Sequence, residues 1–251
     1  MKIAELTGDK PDSKNCDECP IRREAICSRC QPDELDLLDK IKVYRTYQKG
    51  ETITYMGDEI SHVGTLVTGI ASMSQVMEDG RRQIMGILLP SDFVGRPGRS
   101  IAQYEIVAAS EIIMCRFEIK AFETLLANSP TLGPRLLEMA MDELDAARDW
   151  MLLLGRKSAR EKIATLIHTI ALKSRSLLEI NIDCDFQFTL PLTREEIADY
   201  LGLTIETVSR QLSALRQDNI ITIQGQRQIT VKDFGHLMNE TGNDYSGNVL
   251  P

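Results

Sequence analysis

The chain has 251 residues, 43% of them hydrophobic and 26% charged, which is enough for more than one folded domain. No apolar run is long enough to span a membrane, and the N-terminus lacks a basic-then-apolar signal segment. We therefore expect a cytoplasmic protein without a membrane partner. The net charge of −8 argues against a protein that binds polyanions through charge alone.

The charge is distributed unevenly along the chain. Residues 156–232 contain 11 Lys and Arg against 9 Asp and Glu, whereas residues 1–155 contain 18 against 25. The only positive region therefore lies near the C-terminus, and its excess is small. Such a small excess favours site-specific recognition of DNA over binding driven by charge.

Four N-terminal cysteines form a C-x2-C-x7-C-x2-C pattern: Cys16, Cys19, Cys27 and Cys30. In a cytoplasmic chain, such crowding indicates metal or redox chemistry rather than structural disulfides. Closely spaced thiolates repel one another, so a cation or a metal cluster is a natural partner. Both a four-thiolate zinc site and a [4Fe–4S] cluster are open, although zinc ribbons usually separate their two pairs by about 12–20 residues. Free surface thiols are the third alternative.

Short apolar stretches alternate with turn signals over residues 50–117, for example at the Asp79–Gly80 pair. Strands at this spacing predict a sandwich or jelly roll, and a short helix over Pro32–Leu38 leads into it. The last stretch places Ile113, Cys115 and Phe117 on one strand face. This pattern alone favours a buried core cysteine at Cys115 over a metal ligand.

A long helix is predicted to begin near Pro134 and to end at about Leu154. Apolar residues recur along it at alternating spacings of three and four, as in a coiled-coil seam. The seam positions are Leu137, Ala140, Leu144, Ala147, Met151 and Leu154. The pattern fits a dimerisation helix and an amphipathic helix packed on its own domain equally well.

The stretch 192–216 predicts two short helices separated by Gly202. Thr193 and Glu196 form a capping-box pattern at the start of the first helix, and Thr204 caps the second. Two such helices around a glycine turn are typical of a helix-turn-helix. An αα-hairpin with a solvated outer face is the alternative.

The second helix is predicted to have a core face and a DNA face. The core face consists of Ile205, Val208, Leu212 and Leu215. The polar face consists of Glu206, Ser209, Arg210 and Ser213, to which Thr204 is added as a DNA-binding candidate. An arginine can donate a bidentate fork to guanine, and a glutamate can accept from cytosine. A predicted hairpin around Gly225 completes a winged helix-turn-helix.

The run E-T-V-S-R and the spacing of the first three cysteines resemble the FNR branch of the CRP/FNR transcription regulators. The resemblance implies that Glu206, Ser209 and Arg210 read double-stranded DNA, in palindromes with TTGA-like half-sites. It also implies a homodimer and a contact with RNA polymerase through surface loops of the sensory domain, including the Asp79–Gly80 turn.

The same resemblance implies an oxygen-labile [4Fe–4S] cluster. Its ligands would be Cys16, Cys19, Cys27 and, from the sensory domain, Cys115. Cys30 complicates this assignment, because the four clustered cysteines could bind a metal without Cys115. Cys184 has no evident role, and we interpret it as a free thiol. An intact cluster would favour a dimer geometry with correctly spaced recognition helices, and oxygen would relax that geometry.

The strand-rich region also resembles the cyclic-nucleotide-binding β-roll. Its phosphate cassette, GRPGRSIA over residues 95–102, has Arg96 where a cyclic-AMP binder places the Glu that grips the ribose. The pair Arg99–Ser100 keeps a partial match. We therefore expect no cyclic nucleotide as a ligand.

The predicted fold class is α+β, in five segments. These are a cysteine-rich segment (1–31), a β-roll sensory domain (32–129), a dimerisation helix (130–155), a winged helix-turn-helix (156–238) and a disordered tail (239–251). The predicted function is an oxygen-responsive transcription regulator, and without a catalytic motif it is not an enzyme. The alternatives are a zinc-binding or thiol-redox CRP-like regulator, a cyclic-nucleotide-regulated module and an iron–sulfur electron carrier.

Overall fold

The computed structural model describes residues 16–178 and 185–242. The chain divides into two compact units, one ending at Met141 and the other beginning at Asp142. This division falls inside a continuous helix of 25 residues, Leu132–Arg156, so each unit contains one part of it. Among the described residues, no helix is both long and apolar enough to cross a membrane.

The first unit contains two antiparallel four-stranded sheets, which confirms the predicted sandwich. One sheet contains, in spatial order, β1 (Lys42–Tyr47), β8 (Ile112–Glu118), β3 (His62–Thr68) and β6 (Phe93–Val94). The other contains β2 (Thr52–Thr54), β7 (Glu105–Ala108), β4 (Ala71–Val76) and β5 (Arg82–Leu88). Both sheets contribute to one apolar core, which includes Leu66 and Met114 from the first and Ile106 from the second.

The cysteine segment packs into a second core of the same unit. It forms two short 3-10 helices, Cys16–Glu18 and Ile26–Arg29, followed by α1 (Pro32–Ile41). Helix α2 (Ile119–Asn128) follows β8, and the long helix Leu132–Arg156 is α3. The buried members of this core are Cys16, Ile26, Cys30, Leu35, Leu38, Val63, Phe117, Phe122 and Leu132. The described part of the segment is therefore built into the sensory unit.

The second unit combines helices with a small sheet. Its helices are α4 (Ala159–Leu178), α5 (Arg194–Leu201), α6 (Ile205–Gln217) and α7 (Phe234–Asn239). Its three strands are β9 (Phe186–Thr189), β10 (Ile221–Gln224) and β11 (Gln228–Val231), in the order β10-β11-β9. The predicted hairpin is confirmed, and Gly225 adopts a left-handed φ of 61° at its turn.

Two predictions in this unit are wrong. Ile205 was assigned to the core face of the second helix, but it is 45% exposed because it is the first residue of α6 and projects beyond the packed turns. The tail was predicted to begin at 239, but Glu240 forms an ion pair with Arg160 and Thr241 is 1% exposed. The rest of the predicted disordered tail, residues 243–251, and Cys184, which was interpreted as a free thiol, lie outside the described residues.

Candidate DNA interface and cysteine site

The helix-turn-helix is held by the caps that the sequence predicts. Thr193 Oγ1 accepts from the Glu196 N–H at 3.1 Å, and the Glu196 carboxylate accepts from the Thr193 N–H at 2.7 Å. Gly202 ends α5 in the left-handed region, with a φ of 61°, where a side chain would be strained. Thr204 Oγ1 then accepts from the Thr207 N–H at 3.2 Å and begins α6.

Helix α6 buries one face and presents the other to solvent. Val208, Leu212 and Leu215 are buried, as predicted. Of the predicted DNA-binding residues, Ser213 is half-buried and four are exposed: Thr204, Glu206, Ser209 and Arg210. These exposed side chains lie on the first two turns of α6, which is the end of a recognition helix that contacts base edges.

Neighbouring side chains on α6 orient the two charged candidates. Arg210 donates from Nη2 to Thr207 Oγ1 at 3.1 Å. The Glu206 carboxylate accepts a hydrogen bond from the Glu206 backbone N–H, which has the larger effect, and also hydrogen-bonds with the Thr204 side chain. Both hydrogen bonds hold the pKa of Glu206 below its usual range, so the carboxylate is ionised at neutral pH. A donor fork and an acceptor are thus presented on one exposed surface.

Sequence reasoning did not single out two arginines near the wing. Arg194 donates to the Gln226 carbonyl at 3.2 Å, and Arg227 donates to the Pro191 carbonyl at 3.3 Å. Burial lowers the pKa of Arg194, and the positive charge of Arg227 lowers it further. The small positive excess over 156–232 was the only sequence signal for this pair.

The four predicted cluster ligands lie around one cavity in the first unit. The cysteines in its lining are Cys16, Cys19, Cys27 and Cys115. The rest of the lining is mostly apolar, and Tyr44 and Thr65 supply two hydroxyl groups. Cys30 is not part of this lining; it is 8% exposed in the adjacent core, and Thr131 hydrogen-bonds its side chain.

Each ligand candidate is positioned by a defined element. Cys16 and Cys27 belong to the two 3-10 helices, and the Cys19 N–H donates to the Cys16 carbonyl at 3.4 Å. Cys115 lies on β8, and its Cα pairs with Tyr44 of β1 on one side and Thr65 of β3 on the other. Strand pairing therefore fixes Cys115 within the sheet, and packing of the cysteine segment against this sheet brings the other three thiols to the same cavity.

Burial governs the chemistry of these thiols. It raises the pKa of Cys16 and of Cys27 to about 11 and also raises that of Cys115. Lys42 opposes this effect at Cys16, where its Nζ lies 3.3 Å from Sγ. A thiolate is the form that binds metal, so these thiols would need a strong cationic partner to lose their protons at neutral pH.

The donor geometry can be compared with the two candidate metals. Among the described residues, no group of three or more His, Cys, Asp or Glu side chains is arranged to hold a single metal ion. A four-thiolate zinc site needs all its sulfurs about 2.3 Å from one ion. A [4Fe–4S] cluster is held by four thiolates, one on each iron, and four thiols line this mostly apolar cavity.

Contacts within the first unit join the cysteine segment to the start of α3. The Arg135 guanidinium donates to the Glu24 carbonyl and, at 3.5 Å, to the Ala25 carbonyl. The same arginine pairs with Glu138 at 2.7 Å, and Glu138 pairs with Arg29 at 2.5 Å. The backbone between Cys19 and Cys27 is thus tied to the first turns of α3.

A buried carboxylate adds a second tie. Glu34, which is 5% exposed, accepts from the Ser129 hydroxyl, from Thr131 Oγ1 at 2.6 Å and from the Gln31 N–H at 2.8 Å. Burial opposes its ionisation, but these hydrogen bonds outweigh burial and lower the pKa of Glu34 to about 2. The first turn of α1 is thereby fixed to the segment that begins α3.

Comparison with known proteins identifies the family of both units. Residues 160–240 match the Crp-like helix-turn-helix domain, and residues 44–129 match the cyclic nucleotide-binding domain. The chain is 54% identical over 232 residues to the transcriptional activator protein FnrL of Cereibacter sphaeroides, a match that covers 92% of this chain and 94% of that protein. The chain belongs to the FNR branch of the CRP/FNR family.

Two further matches support this assignment. The nitrogen fixation regulation protein FixK of Bradyrhizobium diazoefficiens is 35% identical, over 85% of this chain and 89% of that protein. The structure of FixK2 from Bradyrhizobium japonicum is 31% identical with a TM-score of 0.72, covering 82% of this chain and all of that one. This FNR-branch chain is therefore a DNA-binding transcriptional activator of the FNR/FixK type and not an enzyme.

Proposed function

We propose that this regulator is an oxygen-responsive switch that binds a [4Fe–4S] cluster through Cys16, Cys19, Cys27 and Cys115. The cavity that these four thiols share is the observation that carries the proposal. When bound, the cluster supplies an oxygen-reactive group that is stable only without air. The surrounding apolar side chains exclude water from the thiolates, which strengthens their interaction with a cationic partner.

Arg135 and Glu34 connect this site to α3. Arg135 holds backbone carbonyls of the cysteine segment, and Glu34 holds the turn that precedes α3. A change in the path of the cysteine segment would therefore change the support of the first turns of α3. Because α3 continues into the unit that carries α6, it is the direct covalent route from the thiols to the recognition helix.

The form that binds DNA is a homodimer in which the two copies pair along α3. Five of the six seam residues are exposed in the single chain, and three of these are large: Leu137 (61%), Leu144 (43%) and Met151 (72%). Apolar residues at a heptad-like spacing are stabilised by burial against a second copy. A two-fold dimer would present two α6 helices to the half-sites of a TTGA-type palindrome in the cytoplasm.

Two partner assignments complete the proposal. RNA polymerase contacts the exposed turn at Asp79–Gly80, which is stabilised by the hydrogen bond from Arg81 Nε to the Asp79 carboxylate at 2.7 Å. Cyclic nucleotides are not ligands. Glu123 of α2 accepts from the Gly98 N–H at 2.7 Å, so a carboxylate already takes a backbone donor of the cassette and brings negative charge to it, which disfavours a phosphate there.

Serine substitution of single cysteines tests the ligand set. After purification without oxygen, we expect the wild-type chain to contain iron and acid-labile sulfide in equal amounts. Cys16→Ser, Cys19→Ser, Cys27→Ser and Cys115→Ser should lose both, and Cys30→Ser, the matched control, should retain both.

Two results would contradict the proposal in different ways. If Cys115→Ser kept iron and sulfide while Cys30→Ser lost them, the ligand assignment would be wrong. If the wild-type protein were colourless and contained zinc without sulfide, the cluster itself would be wrong, and a zinc-binding or thiol-redox regulator would replace it.

A further inference from the structure

Thr65 presents a buried hydroxyl group without a partner at the cysteine cavity. The residue is 2% exposed, and among the described residues Thr65 Oγ1 has no hydrogen-bond partner. An unsatisfied buried polar group costs about 1–3 kcal/mol. The hydroxyl belongs to the lining of the cavity, so a group bound there could satisfy it.

The strand register places this hydroxyl beside a ligand candidate. Thr65 of β3 pairs directly with Cys115 of β8, and Tyr44 of β1 pairs with Cys115 from the other side. Side chains directly opposite on neighbouring antiparallel strands share a face, with Cβ atoms about 4.5–5.5 Å apart. Rotation about χ1 therefore brings the Thr65 hydroxyl within reach of sulfur at this position.

Other polar side chains already serve two of the thiols. Lys42 Nζ donates to Cys16 Sγ at 3.3 Å. Tyr44 hydrogen-bonds to the side chain of Cys19. Of the two hydroxyl groups that line the cavity, that of Thr65 is thus the one still available as a donor.

We propose that Thr65 is a positioning residue of the cysteine site, whose hydroxyl donates a hydrogen bond to a sulfur of the bound cluster or to Cys115 Sγ. The inference rests on the proposed cluster. Hydrogen bonds to the sulfurs help to set the reduction potential of a cluster, because they withdraw electron density from it. In the cluster-free protein, the same hydroxyl lacks a partner and lowers the stability of the fold.

Ser72 provides a matched control. It lies on β4 in the other sheet, is 1% exposed and, within the described part of the chain, also has a hydroxyl without a partner. Unlike Thr65, it is not part of the cavity lining. Ser72→Ala therefore removes a comparable buried hydroxyl without touching the thiols.

The test compares Thr65→Val, Thr65→Ser and Ser72→Ala with the wild-type protein, with and without cluster. We expect Thr65→Val to shift the midpoint potential to more negative values and to lose iron to a chelator about tenfold faster under anaerobic conditions. Thr65→Ser keeps the hydroxyl group, so its midpoint potential and rate of iron loss should match those of the wild-type protein. Ser72→Ala should leave both quantities unchanged. In urea unfolding, cluster-free Thr65→Val should be at least as stable as the wild-type protein.

A purely structural role for Thr65 predicts a different set of results. It would lower the stability of cluster-free Thr65→Val and leave the midpoint potential unchanged, and either result would overturn the inference. An equal shift of the potential in Ser72→Ala would also overturn it. If the wild-type protein formed no cluster, the proposed function would fail instead, which separates the two failures.

Discussion

At the scale of single residues, Arg210 and Glu206 make separable contributions to DNA recognition because their side chains carry opposite charges. Both are exposed on α6, and Thr207 orients the guanidinium of Arg210. A bidentate contact to guanine contributes about 1–3 kcal/mol of discrimination. We expect Arg210→Ala to weaken binding mainly at operators that retain this guanine, in titrations against single-base variants.

Glu206→Ala should behave differently. An ionised carboxylate repels phosphate wherever it does not meet a cytosine, so its removal should reduce specificity while nonspecific affinity holds or rises. Arg216, exposed in the last turn of the same helix, is the matched control for loss of charge. If Arg210→Ala and Arg216→Ala weakened every operator variant equally, Arg210 would be a backbone contact and not a base reader.

At the scale of elements, the tie between Arg135 and the cysteine segment carries the coupling. We expect Arg135→Ala to retain its cluster but to bind the operator about tenfold more weakly than the wild-type protein under anaerobic conditions. The reason is that α3 loses the hydrogen bond from Arg135 to the Glu24 carbonyl. Arg148, which pairs only with exposed Asp145 on the same helix in the described structure, is the control and should have little effect. If Arg135→Ala lost the cluster, this prediction would be contradicted. The arginine would then be needed to bind the cluster, and the weaker DNA binding would not report on coupling to α3.

The seam of α3 makes a second prediction at this scale. Its six positions contain no charged residue, so nothing in the seam opposes pairing when the cluster is lost. We expect the cluster-free protein to sediment as a dimer at micromolar concentration. Leu144→Asp should produce monomers by burying a charge, whereas Leu152→Asp, on an exposed neighbouring position, should not. A wild-type monomer without cluster would refute this prediction.

Local patterns predicted some elements better than others. The caps at Thr193 and Thr204 follow from residue chemistry within four positions, and the structure forms both. Strand β1 was missed because its KVYRTY sequence contains two charged residues and is mostly not buried. Strand β9 was missed although Phe186 and Phe188 alternate with polar residues, because its partner β11 lies some 40 residues later in the chain.

At the scale of the whole molecule, the cysteine cavity lies in one unit and the recognition helix in the other. The spacing of the N-terminal cysteines predicted a metal site, but no local pattern links them to Cys115. That link arises only from the pairing of β8 with β1 and β3 and from the packing of the 3-10 helices onto this sheet. Only the family resemblance could identify Cys115 as a ligand. The role of Thr65 could not be predicted from the sequence, because its neighbours at the cavity come from segments that are distant in the chain.

The central claim is that the state of the cysteine site controls binding by α6. The most direct measurement follows operator binding by fluorescence anisotropy while air is admitted to anaerobically purified protein, with the visible absorption recorded in the same cuvette. We expect a brown protein that binds the operator and that loses its absorption and its affinity together. Binding that persists unchanged while the absorption disappears, or a colourless protein that binds equally well with and without air, would contradict the account.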